Sequence, residues 1–299
     1  MSAYTIRPEM FGELSCWRVE SPDATLLIAE QGAQILHYQR TGEPPLIWLS
    51  DAAQGIAGQS VRGGVPVCWP WFGDLARNPV ALLAQYKGDA APFHGLVRNR
   101  LWVCAEKQVT EKEAYLRFTC PQPEEGLPGW PHAVEVALEI RLGARLQVSL
   151  CSKNNGSRSV WISQALHTYY AVGDVQRVSV YGLENSRYIE TLDQWRECTE
   201  SNTLTFQGET DRIYFDLPSR LELHDEGWKR RVMIDTHGSR SAVLWNPWID
   251  KAQRLSQYAP DAWQRMLCIE TANVWNDCVE LKPGTHHQIT MNVWSTPLI

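Results

Sequence analysis

Residues 133–151 read AVEVALEIRLGARLQVSLC. Val134, Val136, Leu138, Ile140 and Leu142 alternate with Glu135, Glu139 and Arg141; beyond Gly143-Ala144, Leu146, Val148 and Leu150 alternate with Gln147 and Ser149. Successive side chains of a strand point to opposite faces, so this period of two predicts two strands, each buried on one side. The short glycine-containing turn between them makes the pair a β-hairpin.

Strand-length runs of the same kind extend in both directions. ATLLIAEQ, AQILHYQ, LWVCAEKQV and AYLRFTC lie before the hairpin; SVWISQALHTYY, RVSVYGL, LTFQ, IYFDL, RVMIDTH, AVLWNPW, MLCIET and HQITMNVW follow it. Clusters of Gly, Pro, Asn and Asp separate them at short intervals. Only LARNPVALLAQYK, residues 75–87, offers a helical turn or two, after Pro79. Parallel strands need long crossover connections, usually helices, and these are missing, so the reading is all-β: a large antiparallel sandwich. No repeat, low-complexity tract or linker divides the chain, and residues 1–299 are expected to form a single domain.

Composition narrows the function classes. A net charge of -6 and a pI near 5.8 argue against a nucleic-acid surface, which would show clustered Lys and Arg. The eight cysteines form no CxxC pair or zinc-ligand spacing, and MSAYTIRPEM lacks the basic and apolar regions of an export signal. Reduced thiols in a cytoplasmic chain are the expectation, with no metal and no membrane span. Fourteen tryptophans suit a large β core, and one or two could instead stack on sugar rings.

Several motifs fail. Arg62-Gly63-Gly64 runs into Val65-Pro66 rather than the GK[ST] of a phosphate-binding loop, no GxGxxG follows a strand, and HExxH is absent. Ser60, in GQSVR, lacks the second glycine of a nucleophile elbow. His286-His287 is a lone pair whose members point to opposite faces of a strand.

What survives is a set of polar residues in apolar settings. His167 lies in SQALHTYYAVGD, Glu270 in MLCIETANVW, and His94 with Arg98 in FHGLVRNRLW. Taken alone, His167 reads as a core histidine bonded to a backbone carbonyl, and Glu270 reads equally as half of a structural ion pair. A carboxylate carried into an apolar strand is costly unless paired or used.

Together the segments VRGGVPVCWPWFG, FHGLVRN, ALHTYY, FQGETDRIYFD, WNPWIDKA and CIETANV, in this order, resemble the hexose-6-phosphate mutarotases (glucose-6-phosphate 1-epimerases) of the galactose-mutarotase-like superfamily. The resemblance covers most of the chain. It implies a β-supersandwich with a cleft across one sheet, and interconversion of α and β anomers of an aldohexose 6-phosphate without a metal or organic cofactor. By motif it makes His167 the general acid, Glu270 the general base and Asp211 a sugar-hydroxyl ligand. Arg62 and Arg98 become phosphate ligands with His94 beside them. The implied partner is a small hexose phosphate, met by a monomer or weak dimer. A carboxylate near His167, from Glu270 or Asp211, is expected to favour the imidazolium that acid catalysis needs. The chain departs from the pattern at Tyr188-Ile189-Glu190-Thr191, where relatives carry Tyr-Ile-Asp-Lys, and in a long segment between Gly73 and His94 that is expected to reshape the cleft rim. The rival readings are a non-catalytic sugar-binding module, an aldose 1-epimerase for unphosphorylated sugars, and a glycosidase using Glu270 and Asp211.

Overall fold

The hairpin is present. In a computed structural model that describes residues 4–124 and 126–298, Val134–Leu142 pairs antiparallel with Leu146–Asn154 around the three residues 143–145. All eight alternating apolar side chains, Val134 to Leu150, are buried. The pair sits inside a nine-stranded antiparallel sheet that runs from Leu204–Thr205 through Arg230–His237 and His286–Pro297 to the hairpin, and ends at Val103–Val109.

A second, eight-stranded sheet carries, in spatial order, Arg196–Thr199, Arg187–Glu190, Thr210–Tyr214, Ser241–Asn246, Met266–Asn273, Gln164–Leu166 and Val67–Cys68, with Tyr169–Ala171 also pairing with Met266–Asn273. The named ladders among the described residues are all antiparallel. An N-terminal four-stranded meander, Thr5–Phe11 to Ile35–Arg40, flanks them. Leu14–Glu20, inside the N-terminal meander, and the short edge strands Arg196–Thr199 and Val279–Leu281 were not legible in the sequence. The helical turn expected after Pro79 is one α-turn at Val80–Leu83, and a 3₁₀ turn at Leu75–Arg77 precedes it.

The two large sheets bury their facing sides in one core. Leu138, Val148, Met291 and Val293 of the first share it with Leu166, Tyr170, Leu244 and Ile269 of the second. Polar groups are matched across the interface: Trp69 Nε1 donates to Ser152 Oγ at 3.0 Å, and Tyr170 Oη donates to Met291 Sδ at 3.2 Å. Trp69 and Trp71, from the WPWFG segment, are both fully buried.

The other face of the eight-stranded sheet is turned away from that core. Register fixes what it presents. Asp211 lies opposite Trp245, Trp245 opposite Cys268, and Cys268 opposite Tyr169, which makes one row across four strands. The next row is Ile189, Ile213, Val243 and Glu270. Leu166 pairs with Thr271 and Tyr169 with Cys268, so the same register sets His167, at the break between its two short strands, opposite Glu270.

Candidate active site

Cross-strand neighbours are the closest side chains on a sheet face, and that is how two residues a hundred positions apart meet. His167 Nδ1 stands 3.5 Å from Glu270 Oε2. Neither atom has a hydrogen-bond partner, although Glu270 is 1% exposed and His167 9%. The imidazole lies flat on Tyr169, ring centroids 4.9 Å apart and 7° from parallel. Buried polar atoms are nearly always satisfied, and orphans that face a cavity mark places where something else is meant to bind.

The cavity exists. About 1080 Å³ of space lies over this face, lined by His167, Glu270, Arg62, His94, Arg98 and Asp211, all six of the residues singled out from sequence. Each is delivered by an identifiable device. Gly63 and Gly64, at φ 106° and 72°, fold tightly against the 48–50 segment, where a Cβ on Gly64 would strike the Ile35 carbonyl. Gln34 Nε2 donates to Gly63 O at 2.7 Å, which fixes the turn that carries Arg62. The Arg62 guanidinium reaches Tyr169 Oη at 3.5 Å and Ser256 O at 3.4 Å. Arg98 Nε donates to Ser60 Oγ at 3.0 Å.

The WPWFG and FHG segments are bonded to each other. Leu96 N donates to Trp69 O, His94 N to Gly73 O, and Trp71 Nε1 to Pro92 O, at 2.7, 2.9 and 2.9 Å. Gly95, at φ 83°, passes so close to the Trp69 carbonyl that no Cβ fits. This arrangement holds His94 in a left-handed conformation, φ 66°, with its ring 5.2 Å from that of His167. Its Nδ1 accepts from Gly73 N at 3.2 Å. Phe93 stays exposed on the rim, edge-on to His94 at 4.5 Å. The segment after Gly73 does shape the rim, through Asp74, Arg77 and Asn78.

Asp211 occupies the far side of its row, 3.8 Å from Lys251 Nζ, which also pairs with Glu209 at 3.0 Å. Lys251 stands in WNPWIDKA and supplies an ammonium to a site where the sequence has Thr191 rather than lysine. Thr191 itself donates through Oγ1 to Asp211 O at 2.8 Å. Glu190, the carboxylate retained in that departure, is taken by Arg212 at 2.8 Å. Tyr169, Trp245 and Lys251 are among the cleft residues to which sequence reasoning gave no role.

The electrostatics overturn one expectation. Burial, and then the fields of Arg98 and Arg62, push the His167 imidazole down to about 3. Burial, and then Asp211, push the Glu270 carboxyl well above the ordinary range. That shift favours the uncharged carboxyl, which supplies no field to charge the histidine. In both members of the pair burial favours the uncharged form. His94 is likewise held neutral by burial, His167 and the two arginines. Asp211 is raised to about 6 by burial, with Lys251 opposing. Neither Arg62 nor Arg98 has an acidic partner within ion-pair distance among the described residues.

A histidine–glutamate pair thus lies on one wall of the cleft, with two guanidinium groups that have no acidic partner beside it. Residues 15–294 match the family model for aldose 1-epimerase. The chain belongs to the aldose 1-epimerase family. It is thus an isomerase of the mutarotase type. Within the family it is 31% identical over 261 residues, 87% of this chain and 83% of the other, to a curated protein of Escherichia coli K12 named as a candidate glucose-6-phosphate 1-epimerase. A protein of the same name from Cenchrus ciliaris is 30% identical over 263 residues, 85% of this chain and 76% of the other. The fold matches a candidate mutarotase from Salmonella typhimurium with a TM-score of 0.87 at 24% identity, covering 98% of this chain and 94% of that one. It also matches a galactose mutarotase-like protein from Clostridium acetobutylicum, with a TM-score of 0.74 at 13% identity and 99% coverage of each. The all-β sandwich read from alternation is the family fold.

Proposed function

We propose that the chain interconverts the anomers of aldohexose 6-phosphates, glucose 6-phosphate foremost, as a single mutarotase unit in the cytoplasm. The observation that carries this reading is the buried His167–Glu270 pair beside two guanidinium groups with no acidic partner. The names of the relatives support the phosphorylated substrate.

Opening a pyranose removes the proton of the anomeric hydroxyl while the ring oxygen gains one, so base and acid must face neighbouring atoms of one ring. Glu270 as carboxylate takes the first proton and His167 as imidazolium gives the second. The open aldehyde turns about its C1–C2 bond, and closure on the other carbonyl face returns both protons. These are proton transfers only, with no covalent intermediate and no redox step.

Burial disfavours the charged forms that this chemistry needs on both members of the pair. Transfer of a proton over the 3.5 Å from Glu270 to His167 creates base and acid together. What opposes the move is burial and the positive field of Arg98 and Arg62. A phosphate dianion held by those two forks cancels that field through charge-assisted bonds. Substrate binding thereby makes the imidazolium affordable, and the phosphate contributes to catalysis as well as to binding.

Two charge-assisted contacts at ~1.5–3 kcal/mol each amount to about 10²- to 10⁴-fold in kcat/KM between glucose 6-phosphate and glucose. Anomer exchange measured by NMR on glucose, galactose and mannose 6-phosphates beside the free sugars tests this. Equal kcat/KM for phosphorylated and free sugars would remove the arginines from the account and leave a general aldose 1-epimerase. Binding of glucose 6-phosphate with no acceleration of exchange would leave a binding module.

A further inference from the structure

The cleft is larger than one hexose phosphate fills. Its volume of about 1080 Å³ stands at the top of the ~300–1,000 Å³ range for sites that enclose drug-sized ligands. The direction of the excess follows from register. The wall strand Met266–Asn273 passes from Cys268, beside Tyr169 and the arginines, through Glu270 to Ala272, and Val274 follows just past its end. At ~3.3 Å per residue, Val274 lies about 13 Å beyond Glu270.

That far end has its own construction. Ala165, Ile213, Val243, Ala272 and Val274 form an apolar cluster separate from the main core, and Phe72, Trp195 and Trp275 pack on it. Trp195 precedes one edge strand of the sheet and Trp275 follows the wall strand, yet the two indoles stack with centroids 5.3 Å apart and planes within 20°. Both backbones are left-handed, φ 60° and 56°. Positive φ is a genuine outlier for a bulky side chain and clusters where a ligand must be gripped. Both tryptophans line the cavity, as do the polar Asp74, Arg77 and Asn78. Arg77 lies 5.0 Å over the Trp195 ring. An aromatic pair rimmed by a carboxylate, a guanidinium and an amide matches a pyranose, which offers an apolar C–H face and a belt of hydroxyls.

The geometry points to a second sugar subsite at the Trp195–Trp275 end of the cleft, which takes the non-reducing ring of a reducing disaccharide while its reducing ring reacts at His167 and Glu270. This deepens the mutarotase reading and rests on it. The anomeric hydroxyl must stay free and C6 points to the arginines, so the linkage leaves from C2, C3 or C4 of the reacting ring.

The test uses NMR anomer exchange on the 2-, 3- and 4-linked glucobioses sophorose, laminaribiose and maltose, beside glucose and glucose 6-phosphate. At least one disaccharide is expected to show kcat/KM about threefold to tenfold above glucose, as one good aromatic contact provides. Trp275→Ala and Trp195→Ala are expected to abolish that advantage, Trp275→Phe to retain part of it, and all three to change glucose 6-phosphate turnover less than threefold. A wild-type enzyme that turns over glucose 6-phosphate yet favours no disaccharide over glucose overturns the subsite alone. So do tryptophan variants that lose disaccharide and glucose turnover in equal proportion. Failure of glucose 6-phosphate turnover itself in the wild type would overturn the underlying reading instead.

Discussion

Glu270→Gln separates what this carboxyl does for the reaction from what it costs the fold. The substitution keeps the volume of a side chain that is 1% exposed and removes its ability to accept the anomeric proton. Loss of a positioned base is expected to lower kcat by about 10²- to 10⁴-fold, or ~3–5 kcal/mol of barrier. Stability moves the other way, in a manner that pH exposes. The folded carboxyl is held well above its ordinary value by burial and by Asp211, so across that interval the native state binds a proton that the unfolded chain has released. Stability of the wild type then falls as pH rises from the ordinary carboxylate range towards the raised pKa, by at most about 1.4 kcal/mol per pH unit. The glutamine variant lacks that slope. His167, whose depressed pKa tilts stability upward between about 3 and 6.5, contributes equally to both proteins and cancels in their difference. Urea unfolding over a pH series rising from about 5 should therefore show the variant gaining on the wild type until the raised pKa is passed, while NMR exchange shows its activity gone. A stability difference that is flat with pH would refute the buried neutral carboxyl, and a variant with wild-type turnover would refute its role as base.

Further outcomes follow from the same geometry. Arg98→Ala and Arg62→Ala should each cost glucose 6-phosphate turnover at least tenfold more than glucose turnover, and each should raise the His167 pKa in an NMR titration by removing a repelling charge. Equal losses on both sugars would dissociate the arginines from the phosphate. Asp211, raised to about 6, should titrate near that value by carboxyl NMR and move higher in Lys251→Met, since the ammonium holds it down; a midpoint in the ordinary carboxylate range would show it solvated. Gly95→Ala should destabilise by about 2 kcal/mol or more in urea unfolding, because its φ of 83° and the Trp69 carbonyl leave no room for a Cβ. An unchanged midpoint would mean that the two loops part easily.

The fold was legible because one physical rule, a period of two with one buried face, repeats from Ala24 to Trp294. What escaped were strands without that pattern. Arg196–Thr199 is an edge strand and Arg187–Glu190 lies next to it, and neither has a fully buried face, so selection for alternation is weak. The candidate site was legible residue by residue, since His167 and Glu270 are polar groups in apolar strands. Their pairing was not: it arises from a register between strands a hundred residues apart. The direction of the histidine shift was misjudged for a related reason. Sequence shows that a carboxylate is near, but the burial that neutralises it, and the arginines that outweigh it, belong to tertiary structure. The tryptophans divide in the same way. Trp69 and Trp71, in the most distinctive motif, are core, whereas Trp195 and Trp275, in segments with no motif, line the cleft.

The central claim is that the paired His167 and Glu270 turn over the anomers of a phosphorylated hexose. Two-dimensional exchange NMR on equilibrated glucose 6-phosphate at neutral pH measures this directly, because it reads the α-to-β rate with no coupling enzyme. Micromolar wild-type protein is predicted to raise that rate well above buffer, and His167→Asn to return it to the buffer value. A wild-type rate equal to buffer, or a His167→Asn rate equal to wild type, would contradict the account.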